Sequence, residues 1–542
     1  MKCPNCSGTL YYDIKNHNLK CRSCSSEFDL DKYQVDADAE ELVFEDARFY
    51  TCKSCGAQLI SGDDRAVDYC SYCGSEAILE SNLTGVKKPK YIIPFRITKS
   101  RCKQIYSNEL KNKIYVPKEF KDPDFIDRFR PFYIPYWLYQ VKFRDDEFTL
   151  DGYRNYTRGG YDYHEEYKIQ AEIRDQGVYG LPYDASRNFD DTIAEDIAPF
   201  NRKDLTEYRP GYLAGMYADA PNVDAKLYEE EVLENATEAV IGNIKDSVGH
   251  IINLKLPMGK KRQDLLQARY DHEDTLFLPV WFLTWKKGNR VAYAVVNGQT
   301  GKIHIDLPAD VGQFILYTLA GTVALFVLLT LFVTVTSRFV LWFAALLVYI
   351  VSVRYYKELK EIRDRENHVF DKGYLISDED DLEMSERKRE RLRKRSKSIL
   401  GKINTGATMV LTIMGIGFLF IFAFSGLMYD ILVTQTAAIG MTFFILFLQF
   451  FRFLKTLSVS RHLKNKWSFL FALIAFGAVV YSFLVAAAEP VQDWWYYLGG
   501  LICLFAASLM AIDLITRFNE SSTRPLPSFY TRKGGNDSAK EI

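Results

Sequence analysis

The sequence predicts a multidomain protein with two N-terminal four-cysteine zinc ribbons, a mixed α/β, β-rich cytoplasmic domain, and an α-helical membrane domain of about six spans. Eight of the ten cysteines occur in four CxxC pairs near the N-terminus. Residues 91–308 alternate between strand-like and helix-like segments. The second half contains uncharged apolar runs about as long as the roughly 20 residues that a helix needs to cross a bilayer. The formal net charge of −1 indicates no overall attraction to nucleic acid or to an anionic surface.

The CxxC pairs predict two metal sites, one in residues 1–28 and one in residues 48–80. In each site fourteen residues separate the two pairs, so a β-hairpin can assemble the tetrahedral shell of four thiolates that zinc prefers. The predicted ligands of the two structural zinc ions are Cys3, Cys6, Cys21, Cys24, Cys52, Cys55, Cys70 and Cys73. Gly8, Gly56 and Gly74 are expected to supply left-handed turns. A redox site is the alternative for a CxxC pair, but no βαβ pattern accompanies these pairs.

The charge of the N-terminal region argues against nucleic-acid binding. Residues 1–80 contain eight lysines or arginines and fifteen aspartates or glutamates, and residues 29–47 form a predicted acidic linker. Nucleic-acid binding needs a basic surface that neutralises phosphates. We therefore expect the ribbons to contact protein. Because no apolar signal region precedes them, we expect this region to remain in the cytoplasm.

Residues 91–308 predict the α/β domain, which could consist of two related lobes. The segments Phe132–Tyr139 and Leu276–Leu283 share an apolar pair, a proline, one further residue and a tryptophan. Since proline cannot donate a ladder hydrogen bond, each proline is expected at a sheet edge or a bulge. Lys226–Val248 has the periodicity of an amphipathic helix. Tyrosines among charged residues at 153–167 are typical of exposed antiparallel strands, although a tyrosine row could also stack bases.

Candidates for catalysis are sparse. The glycine-rich segment Asn297–Lys302 lacks the spacing of a phosphate loop, and it predicts a hairpin turn instead. His164 and His272 form no HExxH motif and are expected in solvated loops, while Cys102 and Cys503 are expected to be packed thiols. No catalytic or cofactor-binding residues are predicted. An active site assembled in space within the α/β domain stays open.

Several motifs carry a resemblance to a known family. These are the CxxC ribbons with YIIPFRIT, FYIPYWLY, LPYDASRNFDD, YLAGMYAD, LPVWFLTW and AVVNGQTGKI. Together they resemble bacterial multi-pass membrane proteins known as TFIIB-type zinc-ribbon-containing proteins. The resemblance covers roughly the first 310 residues. It implies zinc ribbons on a cytoplasmic region and a membrane anchor, and it implies no established activity.

The second half predicts three transmembrane hairpins, at 313–356, 405–452 and 467–516. The predicted spans are Phe314–Val335, Phe339–Tyr356, Thr405–Leu427, Ile431–Phe451, Trp467–Ala488 and Trp494–Ile515. A charged connector, 357–404, joins the first two hairpins, and the tail 517–542 is expected to be disordered. Basic residues are concentrated on one side of the spans, so the positive-inside rule predicts a bacterial cell membrane protein with both termini cytoplasmic.

These observations favour a non-enzymatic, zinc-binding multi-pass membrane protein. Its cytoplasmic region would dock a protein partner at the inner face of the lipid bilayer. The alternative is a transporter, or a membrane enzyme, with a regulatory zinc-ribbon region. The predicted spans hold almost no midplane carboxylate or histidine, which weighs against ion-coupled transport.

Overall fold

The architecture is that of a computed structural model. It describes residues 2–30, 48–61 without 53 and 56, 70–75, 78–80, 88–317 with short gaps, 320, 336–366, 435–463 without 462, and 468–525. The short gaps are 145–146, 173–176, 187–188, 249–251 and 258–259. All structural statements below concern these residues.

The first ribbon is a small three-stranded antiparallel sheet, β1 (Leu10–Asp13), β2 (Asn18–Cys21) and β3 (Glu27–Phe28). Its first hairpin turns at His17, which adopts φ 52°. Leu10 and Leu19 are fully buried because this sheet packs against the α/β domain. Most of the predicted acidic linker, residues 31–47, lies outside the described residues.

The second ribbon is joined to the α/β domain by strand pairing. Its strands are β4 (Arg48–Cys52), β5 (Gln58–Ser61) and β6 (Ile78–Glu80). Strand β5 pairs with a strand of the α/β domain, β13 (Tyr217–Asp219), and so enters a sheet of 12 strands. The boundaries 48–80 and 91–308 stay predictions, but main-chain hydrogen bonds connect the two regions.

Two long antiparallel strands, β8 (Arg130–Lys142) and β15 (Arg269–Lys287), form the centre of the 12-stranded sheet. The sheet includes β7 (Tyr91–Ile92), β11 (Gly177–Asp184), β12 (Thr206–Glu207), β16 (Arg290–Asn297), β17 (Ile303–Ile305) and β18 (Arg524–Pro525). Aromatic and aliphatic residues of both central strands fill the cores on the two faces of the sheet. Asn297–Lys302 forms the β16–β17 hairpin turn, which confirms that prediction.

The two motif prolines lie in the middle of these central strands, so their prediction as edge or bulge positions is wrong. Pro135 and Pro279 lie on either side of the central pair Ile134–Leu278. On its other side, β8 pairs with β13 before Pro135 and with β11 after it. Likewise β15 pairs with β7 before Pro279 and with β16 after it. Each proline therefore occupies the position where the neighbouring strand changes and its missing N–H costs no ladder hydrogen bond.

A second sheet contains β9 (Phe148–Arg158), β10 (Tyr161–Ala171) and β14 (Asn253–Leu254). Strands β9 and β10 pair in continuous antiparallel register and turn at Gly159–Gly160. The distal half of this hairpin is exposed on both faces, as the tyrosine pattern predicted. We call residues 153–167 the tyrosine hairpin.

Helices surround the sheets of the α/β domain. They are α1 (Lys99–Leu110), α2 (Pro123–Ile126), α3 (Asp191–Ile197), α4 (Glu229–Val248) and α5 (Lys260–Leu266). Helix α4 confirms the predicted amphipathic helix: Val232, Ala236 and Val240 are buried, and a 3₁₀ turn at Ala225–Tyr228 precedes it.

Four helices follow: α6 (Ser337–Glu366), α7 (Gln435–Ser460), α8 (Ser468–Ala488) and α9 (Trp494–Ser521). All four are long and apolar enough to cross a membrane. The described residues do not support six spans. The predicted span Thr405–Leu427 lies outside them, and Phe314–Val335 lies largely outside them.

The helices extend further than predicted at one end of the bundle. Helix α6 continues for ten residues into the predicted connector 357–404, of which residues 367–404 lie outside the described part. Helix α9 ends at Ser521 and is followed by β18, so residues 517–525 of the predicted disordered tail are ordered. The rest of the tail lies outside the described residues.

The chain after α9 is fixed to the large sheet, and we call residues 519–525 the C-terminal clamp. Strand β18 pairs with β16 at Arg290 and Val291. The Arg290 guanidinium donates hydrogen bonds to the carbonyls of Glu520 and Thr523 at 2.6 and 2.7 Å. The Asn519 side chain exchanges two hydrogen bonds with the backbone of Ala309. The sheet is thus anchored at the end of the bundle where α9 terminates.

Candidate metal centres

The first cysteine cluster lies at the surface of the small ribbon. The sulfur atoms of Cys3 and Cys24 are 3.6 Å apart, and those of Cys6 and Cys21 are 3.5 Å apart. All four sulfurs lie within 4.8 Å of one another. Cys3 and Cys21 are buried, whereas Cys6 and Cys24 are exposed. The cluster therefore has one face toward the protein and one toward solvent.

The second cluster has the same arrangement, but it is enclosed. Its sulfur pairs, Cys52–Cys73 and Cys55–Cys70, are separated by 3.5 and 3.7 Å. All four cysteines are buried, and they belong to the core that contains Phe132 and Tyr293.

Tight turns hold each knuckle. The N–H of Cys3 donates to Gly8 and that of Cys21 to Ser26, and the same bond pattern recurs at Cys52 and Cys70. The residue after the second cysteine of a pair adopts the left-handed conformation, with φ 55° at Ser7, 58° at Ser25 and 66° at Gly74. The predicted left-handed turn is confirmed at Gly74. At the first CxxC pair, Ser7 adopts the left-handed conformation that was predicted for Gly8. Gly56 lies outside the described residues.

Both clusters fit a tetrahedral metal ion. With metal–sulfur bonds of about 2.3 Å, the edge of a zinc–thiolate tetrahedron is about 3.8 Å. The observed separations of 3.5–3.7 Å are close to that value. A disulfide would need about 2.05 Å, and all ten cysteines are free. Four cysteines per site leave no position for substrate, so either cluster could hold a structural metal ion.

The protonation of the sulfurs agrees with this interpretation. Hydrogen bonds from Ser26 lower the pKa of Cys24 to about 6. In the buried cluster, hydrogen bonds from Cys55, Cys70 and Cys73 hold the pKa of Cys52 far below its usual range. Hydrogen bonds with Cys52, Cys70 and Cys73, together with burial, raise the pKa of Cys55 far above that range. A divalent cation that bound the four sulfurs would replace their protons.

Tyr72, within the last CxxC pair, anchors the second cluster to the sheet. Its ring packs edge-on against Phe132 and Phe282, with centroids 5.7 and 5.8 Å away. Its carbonyl accepts a hydrogen bond of 2.6 Å from the Tyr293 hydroxyl. The other three CxxC pairs enclose Pro-Asn, Arg-Ser and Lys-Ser, whereas the last pair encloses Ser71 and Tyr72. This difference was the signal in the sequence that could have indicated a role for Tyr72. The role of Tyr72 was not predicted from the sequence.

A buried carboxylate completes that anchor. Asp219 is fully buried and accepts hydrogen bonds from the Tyr72 hydroxyl at 2.7 Å and from the Ser186 hydroxyl. Asp184, also buried, accepts a bond from the N–H of Ser186. Burial first, and then the Asp219 charge, raise the pKa of Tyr72 well above its usual range, so Tyr72 acts as a neutral donor. The network thus joins the motifs at 181–191 and 212–219 to the second metal site.

The motif at 212–219 lies between the two ribbons. The N–H of Tyr12 in the first ribbon donates to the carbonyl of Ala214 at 2.9 Å, and the rings of Tyr12 and Tyr212 are 5.3 Å apart. The following residues form β13, which pairs with β5 of the second ribbon. One short segment therefore positions both cysteine clusters on the α/β domain.

The remaining candidate residues are not brought into a metal or catalytic cluster. His164 and His272 lie in β10 and β15, so their prediction as loop residues is wrong, although both side chains are exposed. Cys102 and Cys503 are buried in separate cores, which confirms them as packed thiols. Among the described residues, the two cysteine clusters are the groups arranged to hold a metal ion.

Comparisons with known proteins add one relative. The chain is 28% identical to the uncharacterized protein YdjG of Bacillus subtilis (strain 168) over 305 residues, which cover 56% of this chain and 88% of YdjG. No family model and no solved structure matches the chain. Because YdjG is uncharacterized, this similarity assigns no activity.

Proposed function

We propose that this protein is a non-enzymatic, zinc-binding multi-pass membrane protein whose cytoplasmic region docks a protein partner at the inner face of the bacterial cell membrane. Two closed four-sulfur clusters support structural zinc ions. Four long apolar helices support a membrane anchor, which we propose to have six spans. The same features support membership of the TFIIB-type zinc-ribbon membrane group.

The geometry of the bundle supports an orientation. At one end, the Ser337 hydroxyl donates to Asp493 at 3.0 Å, and Trp494 and Trp495 are exposed as in an interfacial aromatic belt. At the other end, Ser521 donates to Glu358 and the C-terminal clamp joins the sheet. Since basic residues are concentrated at the sheet end, that end is the cytoplasmic one.

Cysteine labelling of intact cells tests this orientation. An impermeant maleimide should label Val491→Cys, because Val491 is fully exposed at the aromatic end. It should label Lys357→Cys, at the sheet end of α6, only after permeabilisation. The native protein is the control: its exposed Cys6 and Cys24 would be cytoplasmic, so it should not be labelled in intact cells. Labelling in the reverse order would contradict the orientation.

The tyrosine hairpin is the observation that carries the docking proposal. Tyr161 and Tyr163 are 74% and 44% exposed, although large aromatic side chains usually avoid such exposure. The Tyr163 ring stacks on Tyr156 at 5.1 Å, and the Arg154 guanidinium lies 4.7 Å from the Tyr156 ring. Rigid aromatic rings beside an arginine are the residue types that dominate the centres of protein interfaces.

The charges of this hairpin favour a protein over nucleic acid. Strands β9 and β10 together carry three basic and four acidic residues. Glu165 accepts hydrogen bonds from Tyr156 at 2.8 Å and from Tyr167, so a carboxylate lies within the aromatic face itself. These hydrogen bonds hold the pKa of Glu165 below its usual range. An ionised carboxylate there would repel a phosphate backbone.

Site-specific photocrosslinking in the full-length protein tests the docking surface. A photoreactive phenylalanine at Tyr163 should form a discrete adduct in cells that protease removes and nuclease does not. The same probe at Ile114, which is 54% exposed elsewhere on the α/β domain, is the matched control.

The pair Tyr161→Ala and Tyr163→Ala should abolish the adduct formed from a third probe at Arg158, which is exposed on the same face, with the zinc content unchanged. Adducts of equal yield from positions 163 and 114 would contradict a specific surface. A nuclease-sensitive adduct would show a nucleic-acid ligand instead.

A further inference from the structure

Helix α7 carries an unexpected row of polar side chains on its buried face. Apolar Phe443, Phe447 and Leu454 are exposed, as expected for residues that face lipid. The buried face instead includes Thr442, Gln449, Arg452, Thr456 and Ser460. The hydroxyls of Thr442 and Thr456 donate to carbonyls of the preceding turn, which satisfies them locally. Gln449 and Arg452 need partners beyond their own helix.

Arg452 lacks an anionic partner among the described residues. The residue is 9% exposed, and its buried Nε atom has no hydrogen-bond acceptor. Its guanidinium lies 5.1 Å from the ring of Tyr356 on α6, which contributes a cation–π contact without neutralising the charge. A buried ionised group without a partner is costly, so the site calls for an anion.

Gln449 lies one turn before Arg452 on the same face of the helix. Its amide nitrogen donates to the Ser352 hydroxyl of α6 at 2.9 Å, which fixes the orientation of the amide. The amide oxygen, Oε1, is then a buried acceptor without a donor. The Gln449 amide is therefore enclosed between the helices, one turn closer to the aromatic end than Arg452.

The position of Arg452 along the bundle matches the inner membrane boundary. Tyr356, which Arg452 contacts, is 19 residues after Ser337 at the aromatic end of α6. At a rise of about 1.5 Å per residue, this is about 28 Å along the helix, comparable to a hydrocarbon core of about 30 Å. The guanidinium thus lies at the depth of lipid phosphates, where basic sites between helices bind anionic headgroups.

We propose that Arg452 forms a binding site for the phosphate of an anionic phospholipid such as phosphatidylglycerol. The terminal guanidinium nitrogens of Arg452 donate to the phosphate. Lys455, half-buried on the next turn, adds positive charge. The site rests on the membrane location under the proposed function.

Lipid binding to the full-length protein tests the site. The protein is placed in nanodiscs of phosphatidylcholine with a minor fraction of phosphatidylglycerol, and retained lipid is measured by native mass spectrometry after release. The protein should retain phosphatidylglycerol selectively, and Arg452→Gln should lower its apparent affinity about tenfold, since a charge-assisted hydrogen bond is removed. Arg461→Gln, exposed at the end of the same helix, is the matched control and should bind as before.

Two further measurements identify the ligand. Phosphatidic acid should also be retained over phosphatidylcholine, because both phosphatidic acid and phosphatidylglycerol carry a net negative phosphate that can accept from Arg452. Millimolar glycerol 3-phosphate should not displace the lipid; displacement would overturn the lipid assignment in favour of a soluble phosphate. Arg452→Lys controls for misfolding, since it keeps the charge and should lose less of the thermal stabilisation by phosphatidylglycerol than Arg452→Gln.

Equal retention of phosphatidylglycerol by the native protein and by Arg452→Gln would overturn the site and indicate that the chain itself neutralises Arg452. That result leaves the membrane location intact if both proteins insert into the nanodiscs. Failure of the native protein to insert would overturn the membrane proposal together with the site.

Discussion

Cys52→Ser is expected to lower the zinc content from the proposed two ions per chain to one and to destabilise the large sheet. Cys52 is fully buried in the same core as Phe132 and Tyr293, and its ribbon pairs with β13 through β5. Loss of the metal leaves three buried thiols without the ion that they would bind. Structural zinc contributes directly to the free energy of folding. We expect the melting temperature of the full-length protein to fall by about 10 °C or more. Elemental analysis and differential scanning fluorimetry in detergent measure the two effects.

Cys6→Ser is the matched control within the same chain. It should also remove one zinc ion, but with a smaller loss of stability, because Cys6 is exposed and belongs to a small separate sheet. The native protein should contain two zinc ions per chain. If both variants retain full zinc, the ligand assignment is wrong. If both variants lower the melting temperature equally, burial of a cluster does not determine its contribution to the stability of the protein.

Comparison of the two cysteine clusters shows how much of each site could be predicted from the sequence. The spacing of the cysteines predicted which four sulfurs meet, since a CxxC turn and a hairpin are local structures. The two clusters have identical spacing, so nothing local distinguishes the exposed site from the buried one. The difference depends on Tyr72 and Asp219, which are 147 residues apart and meet only after the sheet has formed.

The order of strands was beyond sequence analysis for the same reason. The shared motif around Pro135 and Pro279 was visible, and an edge position was the sensible inference from a residue without an N–H. In the structure the short strand β13 pairs with β8 and ends beside Pro135. The short strand β7 pairs with β15 and ends beside Pro279. A central strand tolerates proline there because its neighbour changes at that residue.

Hydropathy predicted the apolar part of α6–α9 well, but it missed how far helices continue into polar sequence. Residues 357–366 read as a charged connector, yet Lys357 and Glu361 are one turn apart on a continuous helix. At the C-terminus, Pro525 suggested disorder. Arg524 instead lies buried in the sheet, because its partners Asp190 and Asp306 come from distant segments.

Those partners make Arg524 a buried contact between the segment after α9 and the sheet. Its Nε atom donates to Asp306 at 3.2 Å, and its terminal nitrogen donates to Asp190. Asp306 also contacts His304, which in turn contacts Asp196 at 2.7 Å. Burial acts to lower the pKa of His304, but Asp306 and Asp196 outweigh it and raise the pKa above its usual value. Arg524 and His304 therefore share the buried Asp306 carboxylate, and each also contacts a more exposed aspartate.

Arg524→Ala is accordingly expected to release the C-terminal clamp. It leaves buried Asp306 with His304 as its remaining basic partner, and breaking a buried ion pair from one side costs about 3–5 kcal/mol. The sites just after α9 should become sensitive to protease, and the melting temperature should fall, with zinc content unchanged. Lys103→Ala, which removes the exposed pair with Asp127, is the control and should cost about 1 kcal/mol or less. Arg524→Ala with native protease resistance and the same melting temperature would show that β18 pairing alone holds the clamp.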